Sequence, residues 1–484
     1  MARNLERAAL AANAGGDGAP KKSGDSPDQA VPGKVAGKTR ATRAMFKIQL
    51  TDFRCFAGPQ PVEVLPITFL VGENSAGKTT FLAAVRILLE GFVRSPQNPF
   101  NREPYHLGGF DQIAHYRGGV RGRADEFCLQ MMIPASPEAV PPVPRTRRQS
   151  TATHHKFTFI KGSPQPELTQ YEFGTPDASV RMDLADKFSL RLIQDGNEVF
   201  QFKPQRLPPS AVLRKDMSYL RFVFDELAYG INPESLAGRP ELQNLIDRVF
   251  EQFRESMRFA MRKVFASAPV RTQPLRTYTP SEIVASAEGA HVPLEMARQK
   301  ISSPEDWTTV HDKLAQFGKN SGLFDDIDIR LLGRKDGDPF QIIVKTGGPH
   351  RNIVDVGYGV SQALPIIYQL EHRQHDTFLL QQPEVHLHPR AQAALGTLLA
   401  RLSKQRASSI YVIETHSDYI IDRVRMEVAA GRLDAKNVTI VFFDRQEHEV
   451  LPVNLYLSEK GDILHPPDNF RSFFLEEHQR LLGL

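Results

Sequence analysis

The stretch VGENSAGKTTFL, from Val71 to Leu82, decides the fold class of this 484-residue chain. Gly72 to Thr79 fits the pattern G-x-x-x-x-G-K-[ST] and lies between an apolar run that predicts a strand and a pattern that predicts a helix. In such a loop the backbone N–H groups wrap phosphates, and the N-terminus of the helix favours their negative charge. The sequence therefore predicts an α/β P-loop fold that binds ATP.

The loop supplies the predicted cofactor contacts. Lys78 is expected to reach the β- and γ-phosphates, and the Thr79 hydroxyl is expected to bind Mg²⁺. A Gly-rich turn without function is the alternative, and the flanking strand and helix argue against it. The other predicted binding positions are Gly72, Glu73, Asn74, Ser75, Ala76, Gly77 and Thr80.

Outward from the loop, the chain alternates between two kinds of pattern. The stretches MFKIQLTDFRCF and VEVLPITFLVG predict strands, and helical spacing then runs up to Gly91. Residues of about 120 to 204 predict short antiparallel strands, including a hairpin at Asp195–Gly196. A long amphipathic helix with apolar positions from Leu242 to Val264 follows. Near the other end, TFLL, SIYVI and VTIVFF alternate with helices, which predicts a largely parallel sheet.

Composition limits the class of protein. The chain is 41% hydrophobic and 24% charged, as soluble globular proteins are, and its two cysteines imply no disulfide framework. A secretory signal and an apolar run that could cross a bilayer are both missing from the sequence, so we expect a cytoplasmic protein without membrane contact. Residues 1–43 are rich in Ala, Gly, Pro and Lys, and we expect them to form a disordered tail.

Three further motifs follow the loop in a fixed order: VDVGYGVSQALPII, FLLQQPEVHLHP and YVIETHSDYII. This order, together with the ending YLSEKGDILHPPDNFRSFFLEEH, resembles the ABC-type ATPases of the SMC, RecF and OLD group. The resemblance is greatest to RecF-like AAA-family ATPases of bacterial defence systems such as PARIS and Septu. It implies an ABC-type P-loop head with a mixed sheet, split by an antiparallel-β and helical insertion, in which two heads hold ATP between them.

The resemblance also implies domain bounds and further site residues. The bounds are a tail at 1–43, an N-terminal ATPase lobe at 44–135, an insertion at 136–350 and a C-terminal lobe at 351–484. In the signature turn VGYGVSQ, Gly357 and Gly359 would approach the γ-phosphate of a partner head, helped by Ser361. His416 would be the switch histidine that senses the γ-phosphate. Arg54 resembles an early arginine that reaches the nucleotide in SMC-type heads.

The acidic positions of the Walker B motif are where this chain departs from the family. After the strand FLL, Gln381 stands at the Mg²⁺ position and Gln382 at the position that activates the attacking water. A neutral amide orients water but does not take its proton, so hydrolysis should be slow. Glu384 and Glu414 are the nearby carboxylates that could substitute. Alternatively, the strand register differs and Glu384 is the metal-side acid.

Other residues carry weaker predictions. Gln112 is a candidate Q-loop residue. Basic residues of the long helix and the stretch RTRR from Arg145 to Arg148 permit contact with nucleic acid, although such runs are more often a solvated face. The basic helix positions are Arg248, Arg254, Arg258, Arg262 and Lys263. The segment APVRTQPLRTY resembles a family segment to which no role is assigned.

Three functions compete at this stage. The first is an ATPase that dimerises around ATP and controls a separate effector, such as a nuclease, in defence against phage or mobile elements. The second is a DNA-repair or DNA-maintenance clamp of RecF or SMC type, which should show a basic channel or long heptad arms. The third is an OLD-like nuclease subunit, which should show the clustered acids of a TOPRIM domain after His416.

Overall fold

The computed structural model describes residues 44–91, 98–119, 122–135, 152–184, 188–202, 217, 220, 239–280, 284–335, 337–372, 376–447, 449–470 and 480. All of them belong to the unit of residues 42–484. The predicted tail at 1–43 and the stretch RTRR lie outside the described residues. Within the described part of the chain, no helix has the length and apolar character needed to cross a membrane.

The helices and strands are numbered in chain order. The helices are α1 Lys78–Glu90, α2 Phe110–Ile113, α3 Pro240–Ala260, α4 Val292–Ser302, α5 Pro304–Ser321, α6 Tyr358–His372, α7 Pro389–Gln405 and α8 Asp418–Ala429. The strands are β1 Phe46–Thr51, β2 Gln60–Val64, β3 Ile67–Gly72, β4 Glu126–Ile133, β5 Thr153–Ile160, β6 Glu167–Gly174, β7 Ala178–Asp183, β8 Ser189–Gln194, β9 Asn197–Phe202, β10 Val264–Ser267, β11 Asp326–Leu331, β12 Phe340–Lys345, β13 Arg351–Asn352, β14 Thr377–Gln381, β15 Ile410–Glu414, β16 Val438–Gln446, β17 Glu449–Leu457 and β18 Ile463–Leu464.

A mixed sheet carries the phosphate loop. Its order is β10-β14-β15-β3-β16-β17-β18, and each pair from β10 to β16 is parallel, whereas β17 and β18 are antiparallel to their neighbours. Every residue of β14 and β15 is buried, as expected of parallel strands covered on both faces. The predicted parallel sheet is confirmed. The fold is that of an ABC-type P-loop ATPase head.

A second sheet is antiparallel throughout, in the order β2-β1-β4-β5-β6-β7-β8-β9. Its predicted hairpin joins β8 to β9 through Asp195 and Gly196, whose φ angles of 50° and 80° are those that a two-residue turn of this kind requires. The sheet continues from β4 to β5 across residue 135, where the N-terminal lobe was predicted to end. The predicted domain bounds remain predictions.

Helix α1 lies between the two sheets. Its residues are apolar on nearly all sides, which is typical of a helix buried on every face. It contacts β4 of the antiparallel sheet and β15 of the mixed sheet, and the Phe81 ring packs edge-on against Phe443 at 5.7 Å. The helix that begins at the phosphate loop is therefore fixed from both sides.

Helix α3 differs from its prediction in two respects. It ends at Ala260, because Val264–Ser267 leaves the helical pattern to pair in parallel with β14. Its exposed face is mixed in charge rather than basic, and the Arg262 guanidinium beyond its end donates to the Ser408 carbonyl. The exposed charged residues of α3 are Glu241, Asp247, Arg248, Glu251, Arg254, Glu255 and Arg258.

Candidate nucleotide-binding and catalytic site

The phosphate loop has a backbone that only glycine permits at two positions. Gly72 and Gly77 have φ angles of 143° and 85°. A Cβ at Gly72 would lie 2.7 Å from the Phe443 carbonyl oxygen, and one at Gly77 would lie 2.4 Å from the Cys55 sulfur. The first turn of α1 carries no acidic residue of its own, and the positive end of the helix dipole favours a bound anion there.

Lys78 brings a cation to the middle of the loop. Its Nζ donates to the carbonyl oxygens of Gly72 at 3.0 Å and Glu73 at 2.6 Å. Burial lowers the pKa of Lys78, and the nearby carboxylates of Glu414 and Glu73 oppose that shift. The ammonium group therefore lies where the phosphates of a nucleotide would need it.

Carboxyl ends of three parallel strands meet beside the loop, where open α/β sheets bind their ligands. In the register of the sheet, Gln381 at the end of β14 lies opposite Glu414 at the end of β15, and Glu414 lies opposite Leu70 of β3. The Thr79 hydroxyl donates to the Glu414 carboxylate, with distances of 2.8 and 3.1 Å to its two oxygens. Sequence reasoning had placed Glu414 among substitute bases, not beside Thr79.

Gln381, the last residue of β14, and Gln382, the residue after it, have different surroundings. Gln381 is 5% exposed, and its side-chain oxygen has no hydrogen-bond partner among the described residues. Gln382 has a φ angle of 40°, which is uncommon for a residue with a side chain, and its N–H donates to the Glu414 carbonyl oxygen at 2.8 Å. The chain thus turns sharply where the Walker B acids would stand.

Glu384 and His416 meet at this turn. The backbone N–H of His416 donates to Oε1 of Glu384 at 2.7 Å, whereas Oε2 of Glu384 has no partner among the described residues. Burial raises the pKa of Glu384, because a carboxylate loses hydration there. The pKa of the His416 imidazole is lowered by burial and by the charge of Lys78. Glu384 is therefore a carboxylate with one buried oxygen that is unpaired within the described part of the chain, next in space to His416, which the sequence predicts to sense the γ-phosphate.

The signature turn lies against the loop that follows Glu384. A Cβ at Gly359 would lie 2.8 Å from the His386 carbonyl oxygen, whereas one at Gly357 would meet nothing within 4 Å. The Tyr358 and His386 rings pack edge-on at 4.9 Å. Ser361 is 6% exposed and its hydroxyl donates to the Tyr358 carbonyl at 2.8 Å, so its hydroxyl already has an internal partner. Gly357 is the open face of the turn.

Two early candidates have local partners. Arg54 donates from Nη2 to the Leu107 carbonyl at 3.0 Å, and its neighbour Cys55 packs against Gly77. Gln112 uses its side-chain oxygen to accept the N–H of Gly109 at 2.9 Å, which caps the short helix α2. Arg54 therefore lies next to the phosphate loop, whereas the Gln112 side chain is used to cap α2.

Arg271 is a residue of the site that the sequence did not assign. It is 2% exposed, and its Nη2 donates to the carbonyl oxygens of Gln381 at 3.2 Å and Gln382 at 3.1 Å. The signal was present, because APVRTQPLRTY stood out as a conspicuous segment. Its place beside β14 depends on pairing of distant segments, which the motif did not reveal.

The residues at the edge of the sheet fit ATP with Mg²⁺. Mg²⁺ prefers oxygen ligands and is commonly held by one or two protein groups together with substrate phosphates. Thr79 and Glu414 supply a hydroxyl and a carboxylate in contact, and P-loop proteins hold Mg²⁺ with such a pair. The described residues contain no group of three or more His, Cys, Asp and Glu that could form a metal site without the phosphates.

Comparisons with known proteins give one family match. Residues 216–422, less than half of the chain, match the family described as "AAA domain, putative AbiEii toxin, Type IV TA system". The matched range begins after the phosphate loop and includes Arg271, the signature turn and His416. The sequence matches no curated protein.

Among solved structures, the chain is similar to heads of SMC proteins. One is the SmcHead bound to the C-winged helix domain of ScpA, with 11% identity, 85% of this chain and 98% of that chain covered, and a TM-score of 0.42. Another is the Smc head with an extended coiled coil bound to the C-terminal domain of ScpA from Pyrococcus furiosus, with 12% identity, 90% and 98% coverage and a TM-score of 0.41. A third is the SMC head domain from Thermotoga maritima, with 12% identity, 84% and 98% coverage and a TM-score of 0.35.

The fold follows from this chain's own strand order and phosphate loop. The parallel strands β14, β15 and β3, the glycine-dependent loop and α1 are the parts that define it. The chain has the fold of a P-loop ATPase head of the ABC type.

Proposed function

We propose that this protein is an ATPase that hydrolyses ATP slowly with Mg²⁺ and acts as a dimerising switch. The observation that carries the proposal is the contact between Thr79 and Glu414 beside Lys78. Through this contact, Glu414 offers a carboxylate to Mg²⁺ beside the phosphate loop, although Gln381 at the end of β14 and Gln382 after it are neutral. Mg²⁺, when bound, would neutralise charge on the phosphates.

Glu384 is the proposed general base. Its pKa is raised by burial, which brings a carboxyl group closer to the pH at which a base works best. The His416 N–H donates to one oxygen of Glu384, and the other oxygen, which is buried and has no partner among the described residues, is the one proposed to accept the proton of the attacking water. Gln381 and Gln382 take no proton, so the base stands two residues beyond its usual place and turnover should be low.

Slow hydrolysis supports a switch rather than a motor. A long-lived ATP state lets a second head bind across the signature turn, and the assembled state can then be passed to an effector, for which a nuclease is the proposed class. The match of residues 216–422 to a family described with a toxin–antitoxin system supports a defence role beside a second protein. A DNA clamp is less favoured, because the exposed face of α3 carries acids as well as arginines.

A phosphate-release assay on the purified protein tests the proposal. Wild-type turnover should lie well below the roughly 10 s⁻¹ of an ordinary enzyme. Lys78→Ala should lose ATP affinity, because the phosphates then lack their side-chain cation. Glu384→Gln should lower turnover by about 10²–10⁴-fold, and Gln381→Asp with Gln382→Glu should raise it.

The exposed carboxylate Glu255 of α3 provides the control, because Glu255→Gln removes one acid far along the chain from the site and should leave turnover unchanged. Wild-type turnover near that of ordinary enzymes, unaffected by Glu384→Gln, would contradict both the slow cycle and the assigned base. Failure of the wild-type protein to bind ATP would contradict the proposal as a whole.

A further inference from the structure

Arg271 is buried without an acidic partner at ion-pair distance among the described residues. Burial lowers its pKa to about 10, and the nearby charge of Glu384 opposes that shift, so the guanidinium stays charged at neutral pH. Its Nη2 donates to the carbonyl oxygens of Gln381 and Gln382, while Nε and Nη1 have no partner among the described residues. A charge held this way costs stability, and packing alone gives no reason for it.

The backbone of Arg271 contacts α6, whereas its side chain contacts the end of β14. The Arg271 N–H donates to Oε1 of Gln362 at 3.3 Å, and the Gln362 amide donates back to the Arg271 carbonyl at 3.5 Å. Gln362 is 1% exposed and lies in α6, just after the signature turn. One residue thus joins the helix of the signature turn to the end of β14.

The turn that Arg271 holds is one that needs support. The φ angle of 40° at Gln382 is strained for a residue with a Cβ, and such a backbone persists only where neighbours fix it. Its N–H is bound by Glu414, and its carbonyl accepts from Arg271 and from the N–H of Val385 at 3.2 Å. Glu384 lies within this turn, so the place of its carboxylate follows from these bonds.

We propose that Arg271 is a positioning residue for ATP hydrolysis, which ties the Gln381–Gln382 turn to α6 and thereby sets the place of the Glu384 carboxylate. The inference rests on the proposed function and extends it to a residue outside the phosphate loop, whose hydrogen bonds go to Gln381, Gln382 and Gln362. It also gives a route for regulation, because any shift of α6 when the signature turn meets a second head would reach Glu384 through Arg271.

Two substitutions of Arg271 test the proposal by separating affinity from turnover. Arg271→Met should lower phosphate release by about 10²-fold, the effect expected of a catalytic group displaced by about 1 Å. ATP affinity, measured by calorimetry, should stay at the wild-type value because Lys78 and Thr79 are untouched. Arg271→Lys should recover part of the lost turnover, since an ammonium group can also donate to the two carbonyls.

Arg406 supplies a matched control. It too donates to consecutive backbone carbonyls, those of Leu370 at 2.6 Å and Glu371 at 3.1 Å, at the opposite end of α6. Arg406→Met removes the same kind of contact about 13 Å further along the helix and should leave turnover unchanged. Equal losses in the Arg406 and Arg271 variants would show a purely structural role and overturn the proposal.

Gln362→Leu keeps the inference testable if Arg271→Met does not fold. It cuts the link on the side of α6 and leaves the bonds of Arg271 to β14, and it should lower turnover at unchanged ATP affinity. If Gln362→Leu, or a folded Arg271→Met protein, hydrolyses ATP as fast as the wild type, the proposal is overturned and the ATPase assignment stays intact. A wild-type protein that releases no phosphate would instead defeat the ATPase assignment and this inference together.

Discussion

At the scale of single residues, the carboxylate beside the phosphate loop lies at the end of β15, whereas the Walker B motif would place it at the end of the neighbouring strand β14. The end of β14 carries the neutral Gln381, and the end of β15 carries Glu414, which accepts the Thr79 hydroxyl. A hydrogen bond to a charged group contributes about 1.5–3 kcal/mol. The same contact fixes the Thr79 hydroxyl beside a carboxylate, so the phosphate loop has an acid next to it although β14 ends in the neutral Gln381.

Glu414→Gln should therefore abolish the gain in ATP affinity that Mg²⁺ provides, because an amide supplies no charge to the metal. Calorimetry with and without Mg²⁺ measures this gain, and binding of ATP alone should persist. The comparison variant is Gln381→Asn, which keeps a neutral amide on β14 and should retain the Mg²⁺ effect. The reverse pattern would place the metal at the end of β14, as the sequence motif predicts.

At the scale of elements, His155 ties the antiparallel sheet to α3. From β5 its Nδ1 lies 2.8 Å from the Tyr171 hydroxyl on β6, and its Nε2 lies 3.1 Å from the Ser256 hydroxyl on α3. Complete burial lowers the pKa of His155 to about 3, since the charged imidazole would lose its hydration. The sheet and the helix are thus joined through a neutral histidine.

Stability should depend on pH through this histidine. Its pKa in the unfolded chain is about 6.5, so above that pH both states are neutral and nothing is gained or lost. As the pH falls from 6.5 towards 3, His155 is protonated in the unfolded chain but stays neutral in the folded protein. The free energy of unfolding therefore falls. Between pH 7 and pH 5 this amounts to about 2 kcal/mol.

Urea unfolding of the wild type and of His155→Gln at both pH values measures this contribution. The variant should be less stable at pH 7 but should lose about 2 kcal/mol less on acidification. Other histidines titrate in both proteins, so the difference between the two slopes belongs to His155. Parallel slopes would mean that His155 is not held neutral by the fold.

At the scale of the whole molecule, the signature turn is where a second copy is expected to bind. The structure distinguishes its two glycines. A Cβ at Gly359 would clash with the His386 carbonyl oxygen of the same chain, whereas a Cβ at Gly357 would point into open space. Any contact with a partner nucleotide through this turn would therefore be made on the side of Gly357.

Gly357→Trp should block ATP-dependent self-association without harming the fold or ATP affinity, because a Cβ at this position meets nothing within 4 Å and the indole would occupy the side from which the second head approaches. Light scattering with and without ATP measures association. Gly348→Trp in the turn between β12 and β13 is the matched control, since a Cβ there also meets nothing within 4 Å. ATP-dependent association that survives Gly357→Trp would argue against a sandwich through the signature turn.

Local sequence patterns were enough to predict the phosphate loop, the parallel strands β3, β14, β15 and β16, and the hairpin at Asp195–Gly196. These features are local: glycine spacing, apolar runs and turn residues act within a few positions of one another. Sequence patterning failed at Val264, where the helical spacing continues beyond Ala260 but pairing with β14 makes a strand. Tertiary pairing overrode the local pattern there.

Which of the candidate groups lie in contact depends on the tertiary structure. Thr79 and Glu414 are separated by 335 positions, and Arg271 and Gln382 by 111. Contacts over such separations arise from the order in which strands pair, and a motif read along the chain gives no record of them. The sheet places β15 between β14 and β3, and this order puts the acid at the end of β15, not that of β14, against the phosphate loop.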